Sequence, residues 1–138
     1  MTDRAEPSIT DLVTALYPAL VTGDRPTVER LVDPGFEGTL TEGLPGGTGG
    51  VHRGRDDMIE RAWWALGRMF RLHVEPSQWM VCPDGRLLVI GRYVGTARAS
   101  GAPLDAAFVH LWSAAGGRLT AVWQLTDSAL FLEALEKR

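Results

Sequence analysis

The chain is poor in cysteine, in lysine, in excess charge of either sign and in long apolar runs, and each shortage removes a class of protein. Cys82 is the only cysteine, so no disulfide can form within the chain and a four-thiolate zinc site is excluded. Such a chain suits a reducing compartment. The 14 Lys and Arg against 17 Asp and Glu leave a formal charge of −3 and a pI near 5.6. Nucleic-acid-binding domains carry a clustered basic excess instead, so neither DNA nor RNA is an expected partner. No uncharged apolar run approaches the roughly 18 residues of a spanning helix. The first six residues carry Asp3, Arg4 and Glu6, and lack the cationic-then-apolar order of a signal peptide. The expectation is a protein that does not insert in membranes, is not exported and works in the cytoplasm. Lys137 is the only lysine, an arginine bias that fits GC-rich bacterial coding.

What is present is enough for one domain. A chain of 138 residues, 45% hydrophobic and 22% charged, can bury a core without metal or disulfide staples. The reading is a flexible N-terminus over 1–7 and a single domain over 8–138. Ile9, Leu12, Val13, Leu16, Leu20 and Val21 fall on one face of an amphipathic helix, with Ser8 and Asp11 placed as a capping box. Pro18 should kink that helix and Gly23 should stop it. Asp24 then caps a short second helix with Pro26 in its first turn, ended by Asp33-Pro34-Gly35. Residues Phe36 to Thr41 read as a strand. The stretch Gly43 to Gly50 holds five glycines and a proline and reads as a loop, a flexible lid for any cavity nearby. A third helix runs from Gly54 through about Phe70, with an aromatic inner face containing Trp63.

From Gln78 the apolar period changes from 3.6 to 2. Four strands are expected, Gln78 to Cys82, Leu87 to Arg98, Leu104 to Ser113 and Arg118 to Thr126, joined by short Gly-containing turns into an antiparallel meander. Asp127 caps a last short helix over Ser128 to Leu135. Both faces of the last three strands are apolar. Ile90, Val94, Phe108, Trp112 and Val122 lie on one side, and Tyr93, Val109, Leu111, Trp123 and Leu125 on the other. An antiparallel sheet with one wet face normally shows polar residues there. The second face is therefore the expected homodimer interface.

Helices followed by a hairpin-rich sheet, with His110-Leu-Trp-Ser-Ala-Ala-Gly-Gly-Arg-Leu-Thr-Ala-Val-Trp-Gln-Leu-Thr-Asp127-Ser-Ala and Val51-His-Arg-Gly-Arg-Asp-Asp-Met58, resemble the nuclear transport factor 2-like superfamily, in particular its SnoaL-like, polyketide cyclase or ketosteroid-isomerase-like branch. The resemblance covers nearly the whole chain. It implies an α+β cone: three N-terminal helices packed on a curved, mainly antiparallel sheet, with a short C-terminal helix. It also implies an apolar cavity between helices and concave sheet. Pairing parity together with the resemblance puts Arg92, Phe108, His110, Trp112, Val122 and Gln124 inward, with Val94 on the same wall and Trp63 or Trp64 closing the cavity.

His110, in an otherwise apolar strand, is the candidate general acid or base; its competing role is a satisfied structural histidine. Similar cyclases and epoxide hydrolases tend to carry a carboxylate where Gln124 stands, and an amide can orient a ligand but cannot titrate. The epoxide-hydrolase subgroup shows Arg-x-Asp where this chain has Arg92-Tyr93-Val94, which argues against epoxide hydrolysis. Arg92, if inward, would need an anionic partner or a ligand oxygen; otherwise it snorkels outward. Glu37 is the best remaining carboxylate partner for His110, against the alternative of a solvated strand charge. The glycine loop lacks the Lys-Ser/Thr of a phosphate loop and the dinucleotide spacing, and His52, His73 and His110 share no metal-ligand spacing. No cofactor or metal is expected.

Three readings follow. The first is a cofactor-independent cyclase, isomerase or dehydratase acting on a hydrophobic oxygenated substrate such as a polyketide or polycyclic ketone. The second is a non-catalytic binding or accessory protein that holds an apolar small molecule. The third is a structural dimer whose core is filled.

Overall fold

The computed structural model describes residues 6–136, so most of the expected flexible terminus lies outside the described residues. The first helix, α1 (Ile9–Thr22), starts where Ser8 accepts a hydrogen bond from the Asp11 amide at 3.1 Å. It ends at Gly23, whose φ of 70° is the left-handed conformation glycine adopts without strain. Asp24 caps α2 (Arg25–Leu31) through the Thr27 amide. Strand β1 (Val32–Leu40) starts at once, so the helix gives way one residue before the expected Asp-Pro-Gly stop.

A 3-10 turn (Pro45–Gly47) and strand β2 (Gly50–Arg53) follow, and β2 pairs antiparallel with β1. The third helix is one rod made of α3 (Arg55–Met58), a π-helical turn (Ile59–Trp63) and α4 (Trp64–Met69). Four long strands complete the sheet: β3 (Phe70–Val81), β4 (Leu87–Ala97), β5 (Pro103–Ala115) and β6 (Arg118–Thr126). Helix α5 (Ser128–Glu136) closes the described chain. The strand order is β2-β1-β6-β5-β4-β3, with every pairing antiparallel except β1 with β6. This is the expected α+β layout of helices on a curved, mainly antiparallel sheet.

Besides β1, which starts four residues ahead of Phe36, the boundary between the third helix and β3 differs from the sequence reading. Phe70 opens β3 instead of ending the helix, and β3 extends eight residues upstream of Gln78. The reason is the alternation of Arg71, Leu72, His73, Val74 and Glu75, which is strand-like and follows the helix without a break. Pro76 is tolerated because β3 is an edge strand, and the register shifts there between Pro76 and Gln78. The glycine loop contains the 3-10 turn. Leu44, Pro45 and Thr48 are buried, and His52 Nε2 bonds the Thr48 carbonyl at 2.8 Å, so the loop is folded into the body.

The core runs between the helices and the concave face of the sheet, from Val13 and Leu16 of α1 through Phe36, Met58 and Ile59 to Phe108 and Trp112. The sheet coils tightly enough that β3 backbone passes over two β4 glycines. A Cβ on Gly95 would lie 1.7 Å from the Arg71 carbonyl oxygen, and one on Gly91 would lie 2.4 Å from that of Glu75.

Candidate functional site

Between helices and sheet lies a cavity of about 630 Å³. Its walls come from the end of α1, the π-helical turn and α4, the start of β3, and inward residues of β4, β5 and β6. Trp63, Trp64, Trp112, Val122, His110 and Gln124 all line it. A cavity this size removes the filled-core reading, since pockets for small ligands begin at roughly 300 Å³.

One buried polar cluster stands in this wall, whose other polar lining residues, Thr22, Arg68, Arg71, His73 and Arg98, are exposed. His110 is 5% exposed, and its ring stacks on Phe108 at 4.0 Å between centroids. Tyr17 Oη lies 2.7 Å from Nδ1 and Tyr93 Oη 2.5 Å from Nε2, so both ring nitrogens are capped by tyrosines from different elements. Trp112 Nε1–H donates to Tyr17 Oη at 3.2 Å, and Gln124 Nε2–H donates to Tyr93 Oη at 2.7 Å. Gln124 is itself fixed, because its Oε1 accepts the Thr41 backbone N–H at 3.3 Å and the Gln124 carbonyl accepts from the Thr41 hydroxyl. The result is a chain of four links, Trp112–Tyr17–His110–Tyr93–Gln124, which faces the cavity through Tyr93, His110, Trp112 and Gln124.

Burial controls the chemistry of this chain. It pushes His110 down to about 3, so the imidazole is neutral at physiological pH. Burial raises both tyrosines far above the ordinary phenol range, against the smaller lowering effects of the Trp112 and Gln124 bonds. The cluster is thus an arrangement of neutral donors and acceptors, suited to holding an oxygen and poorly suited to taking up a proton. No Asp or Glu lines the cavity.

Four expected site residues do not line the cavity: Phe108, which lies behind its wall, and Arg92, Val94 and Glu37, which lie elsewhere. Arg92 is on the outer face, 53% exposed, with its guanidinium Nε 2.5 Å from Asp105. Val94 is on the same face, opposite Asp105 and His73 in the sheet. Glu37 is exposed on the outer side of β1, where Arg53 approaches it at 3.8 Å, and does not reach His110. Tyr93, expected on the dimer face, points into the cavity instead, while Val109, Leu111, Trp123 and Leu125 do face outward.

The error is one of parity in β4. Leu87 to Ile90 are all apolar, so either alternation fits that strand alone. Residues paired across a sheet share a face, however, and Phe108 pairs with Gly91. An inward Phe108 therefore requires inward Gly91 and Tyr93 and outward Arg92 and Val94. Tyr17 was missed because it lies on α1 between two core positions, where an aromatic reads as packing. Phe108 does not line the cavity but supports His110 from behind.

The remaining polar features are structural. His52 is buried between Thr48 and Asp57. Among the described residues no three His, Cys, Asp or Glu side chains are grouped as metal ligands, and no helix is long and apolar enough to cross a membrane.

A family model described as a SnoaL-like domain matches residues 13–122. None of the curated proteins compared with the chain matches it. Among solved structures, an NTF2-like protein from Burkholderia thailandensis E264 is 23% identical, with a TM-score of 0.81 over 94% of this chain and 98% of that one. TerC co-crystallised with polyporic acid is 23% identical, with a TM-score of 0.80 over 93% of this chain and 98% of TerC. A protein described as a SnoaL-like polyketide cyclase, from Jannaschia sp. CCS1, is 20% identical, with a TM-score of 0.80 over 100% and 99% of the two chains. At these identities the likeness is one of fold.

Proposed function

Because the chain belongs to the SnoaL-like domain family, we propose that its cavity takes a hydrophobic oxygenated molecule, of the polyketide or polycyclic ketone kind, and promotes a cofactor-independent proton rearrangement such as cyclisation, isomerisation or dehydration. The observation that carries this reading is the cavity of about 630 Å³ whose apolar inner wall is broken by the Tyr93–His110–Gln124 cluster. Neutral donors fixed in a dry wall stabilise charge that develops on an oxygen, because they need no reorganisation when the enolate forms. In such a step the α C–H bond of the ketone breaks, its electron pair moves onto the carbonyl oxygen, and Tyr93 holds that oxygen. With no carboxylate in the cavity, the proton leaves to water or to a basic group of the substrate itself.

The same lack of a carboxylate favours a second reading, a protein that binds the molecule and leaves it unchanged. Deuterium exchange separates the two. A panel of aryl ketones incubated with the protein in D2O should gain α-deuterium faster than in buffer, and Tyr93→Phe should lower that rate by roughly 10²-fold, the usual loss for one such donor. Binding without accelerated exchange would support the carrier reading, and full exchange by the variant would remove Tyr93 from the chemistry.

A further inference from the structure

The four-link chain carries one hydrogen more than it can use. Trp112 Nε1–H is only a donor. Gln124 presents its NH2 to Tyr93 because the Thr41 amide, also only a donor, occupies its carbonyl oxygen. Each tyrosine oxygen therefore already accepts one bond from outside the Tyr–His–Tyr triplet. Inside the triplet are two links and three hydrogens: two phenolic O–H and the single N–H of a neutral imidazole. If Nδ1 carries the proton, it donates to Tyr17, Tyr93 donates to Nε2, and the Tyr17 hydroxyl hydrogen is spare. If Nε2 carries it, Tyr17 donates to Nδ1, Nε2–H donates to Tyr93, and the Tyr93 hydrogen is spare.

The two arrangements differ in where the spare donor ends up. Tyr17 is 6% exposed, does not line the cavity, and has no other acceptor among the described residues. A spare hydrogen there would be a buried unsatisfied donor. Tyr93 lines the cavity, where water or a ligand can accept from it.

We infer that His110 is held as the Nε2–H tautomer and that the Tyr93 hydroxyl hydrogen points into the cavity as a donor waiting for an acceptor. The ligand class this selects is an apolar molecule with an acceptor-only oxygen at its inner end, a ketone, quinone or enolate, in preference to the matching hydrocarbon. Tyr17 is a positioning residue: it acts through His110 by fixing which nitrogen carries the proton. The ligand half of this inference rests on the reading above, and the proton placement does not.

Imaginary proton positions become observable in the imidazole nitrogen resonances of the full-length 15N-labelled protein, where a protonated ring nitrogen and a lone-pair nitrogen are widely separated. At pH 7.5, without any ligand, the His110 signals, identified by their loss in His110→Gln or through backbone assignment, should show a protonated Nε2 and a lone-pair Nδ1. The reverse pattern, or rapid averaging of the two, overturns the proton placement. Equilibrium dialysis with 9-fluorenone and fluorene tests the recognition. The preference for the ketone over the hydrocarbon should fall by roughly three- to tenfold in Tyr93→Phe, the worth of one neutral hydrogen bond. An unchanged preference overturns the donor role of Tyr93. If neither compound binds while Nε2 carries the proton, the cavity reading of the function fails together with the recognition, and the tautomer stands.

Discussion

Between pH 6.5 and pH 4 the protein should lose about 3 kcal/mol of stability through His110 alone, over and above what its carboxylates contribute. Burial lowers the folded-state value of this imidazole to about 3, while in the unfolded chain it returns to about 6.5. The unfolded state then takes up a proton that the folded state refuses. The His110 contribution is complete above about pH 6.5 and is lost progressively as pH falls toward 3, at about 1.4 kcal/mol per pH unit. The surroundings offer no relief: Tyr17 of α1, Tyr93 of β4, Phe108 and Trp112 of β5 and Gln124 of β6 enclose the ring, and none carries charge. Urea midpoints of the protein and of His110→Gln, taken from pH 7.5 to pH 4, check this. The variant starts lower, having lost its tyrosine bonds, but its stability should fall less steeply, by one proton's worth. Parallel slopes would mean that the imidazole is solvated.

Gly95→Ala should cost about 3 kcal/mol or more, while Gly67→Ala in the same protein should cost nothing or add up to about 1 kcal/mol. The contrast comes from the neighbourhood of the missing side chain. A methyl on Gly95 meets the Arg71 carbonyl oxygen at 1.7 Å and cannot be accommodated without parting β3 from β4, because the obstacle is backbone. A methyl on Gly67, in α4, meets nothing within 4 Å, and alanine is the better helix former. Chemical denaturation of both variants reads the difference directly. A loss below about 0.5 kcal/mol for Gly95→Ala would show that the coil of the sheet is soft, since ordinary surface substitutions stay within that range. Gly91 shows the same kind of approach beside Phe108, so the close passage of β3 over β4 also fixes the ring on which His110 rests.

How far such details can be read from the sequence depends on whether a local pattern or a long-range pairing decides them. Helix α1 was legible because its apolar spacing, Ser8 cap and Gly23 stop all lie within one segment. The strands β4 to β6 were legible because their turns contain glycine at the expected places. The inward direction of His110, Trp112, Val122 and Gln124 followed from the pairing parity of β5 with β6 together with the family resemblance. Strand β4 gave no such mark, and the swap of Tyr93 with Arg92 needed the cross-strand partner of Phe108 to resolve it. Strand β2 is four residues long and owes its existence to β1, and the role of Tyr17 depends on a partner 93 positions away. Glu37 was sought as an acid because chemistry of this kind often uses one; the geometry instead builds a site without any.

The anchoring of Gln124 by the Thr41 amide sets the direction of the last link in the chain. The resemblance implies a carboxylate at this place, and Gln and Glu differ only by an NH2 exchanged for an oxygen. A Glu at this place would still accept from Thr41, but would now accept from Tyr93 as well. The hydrogens of Trp112, Tyr17, His110 and Tyr93 would then all point one way along the four links, with none left over. Gln124→Glu should therefore abolish the preference for fluorenone over fluorene, as measured by dialysis. Exchanging one residue for the other would turn round only the last link, between Tyr93 and position 124, and so withdraw the Tyr93 hydrogen from the cavity, while every ring and wall stayed where it was.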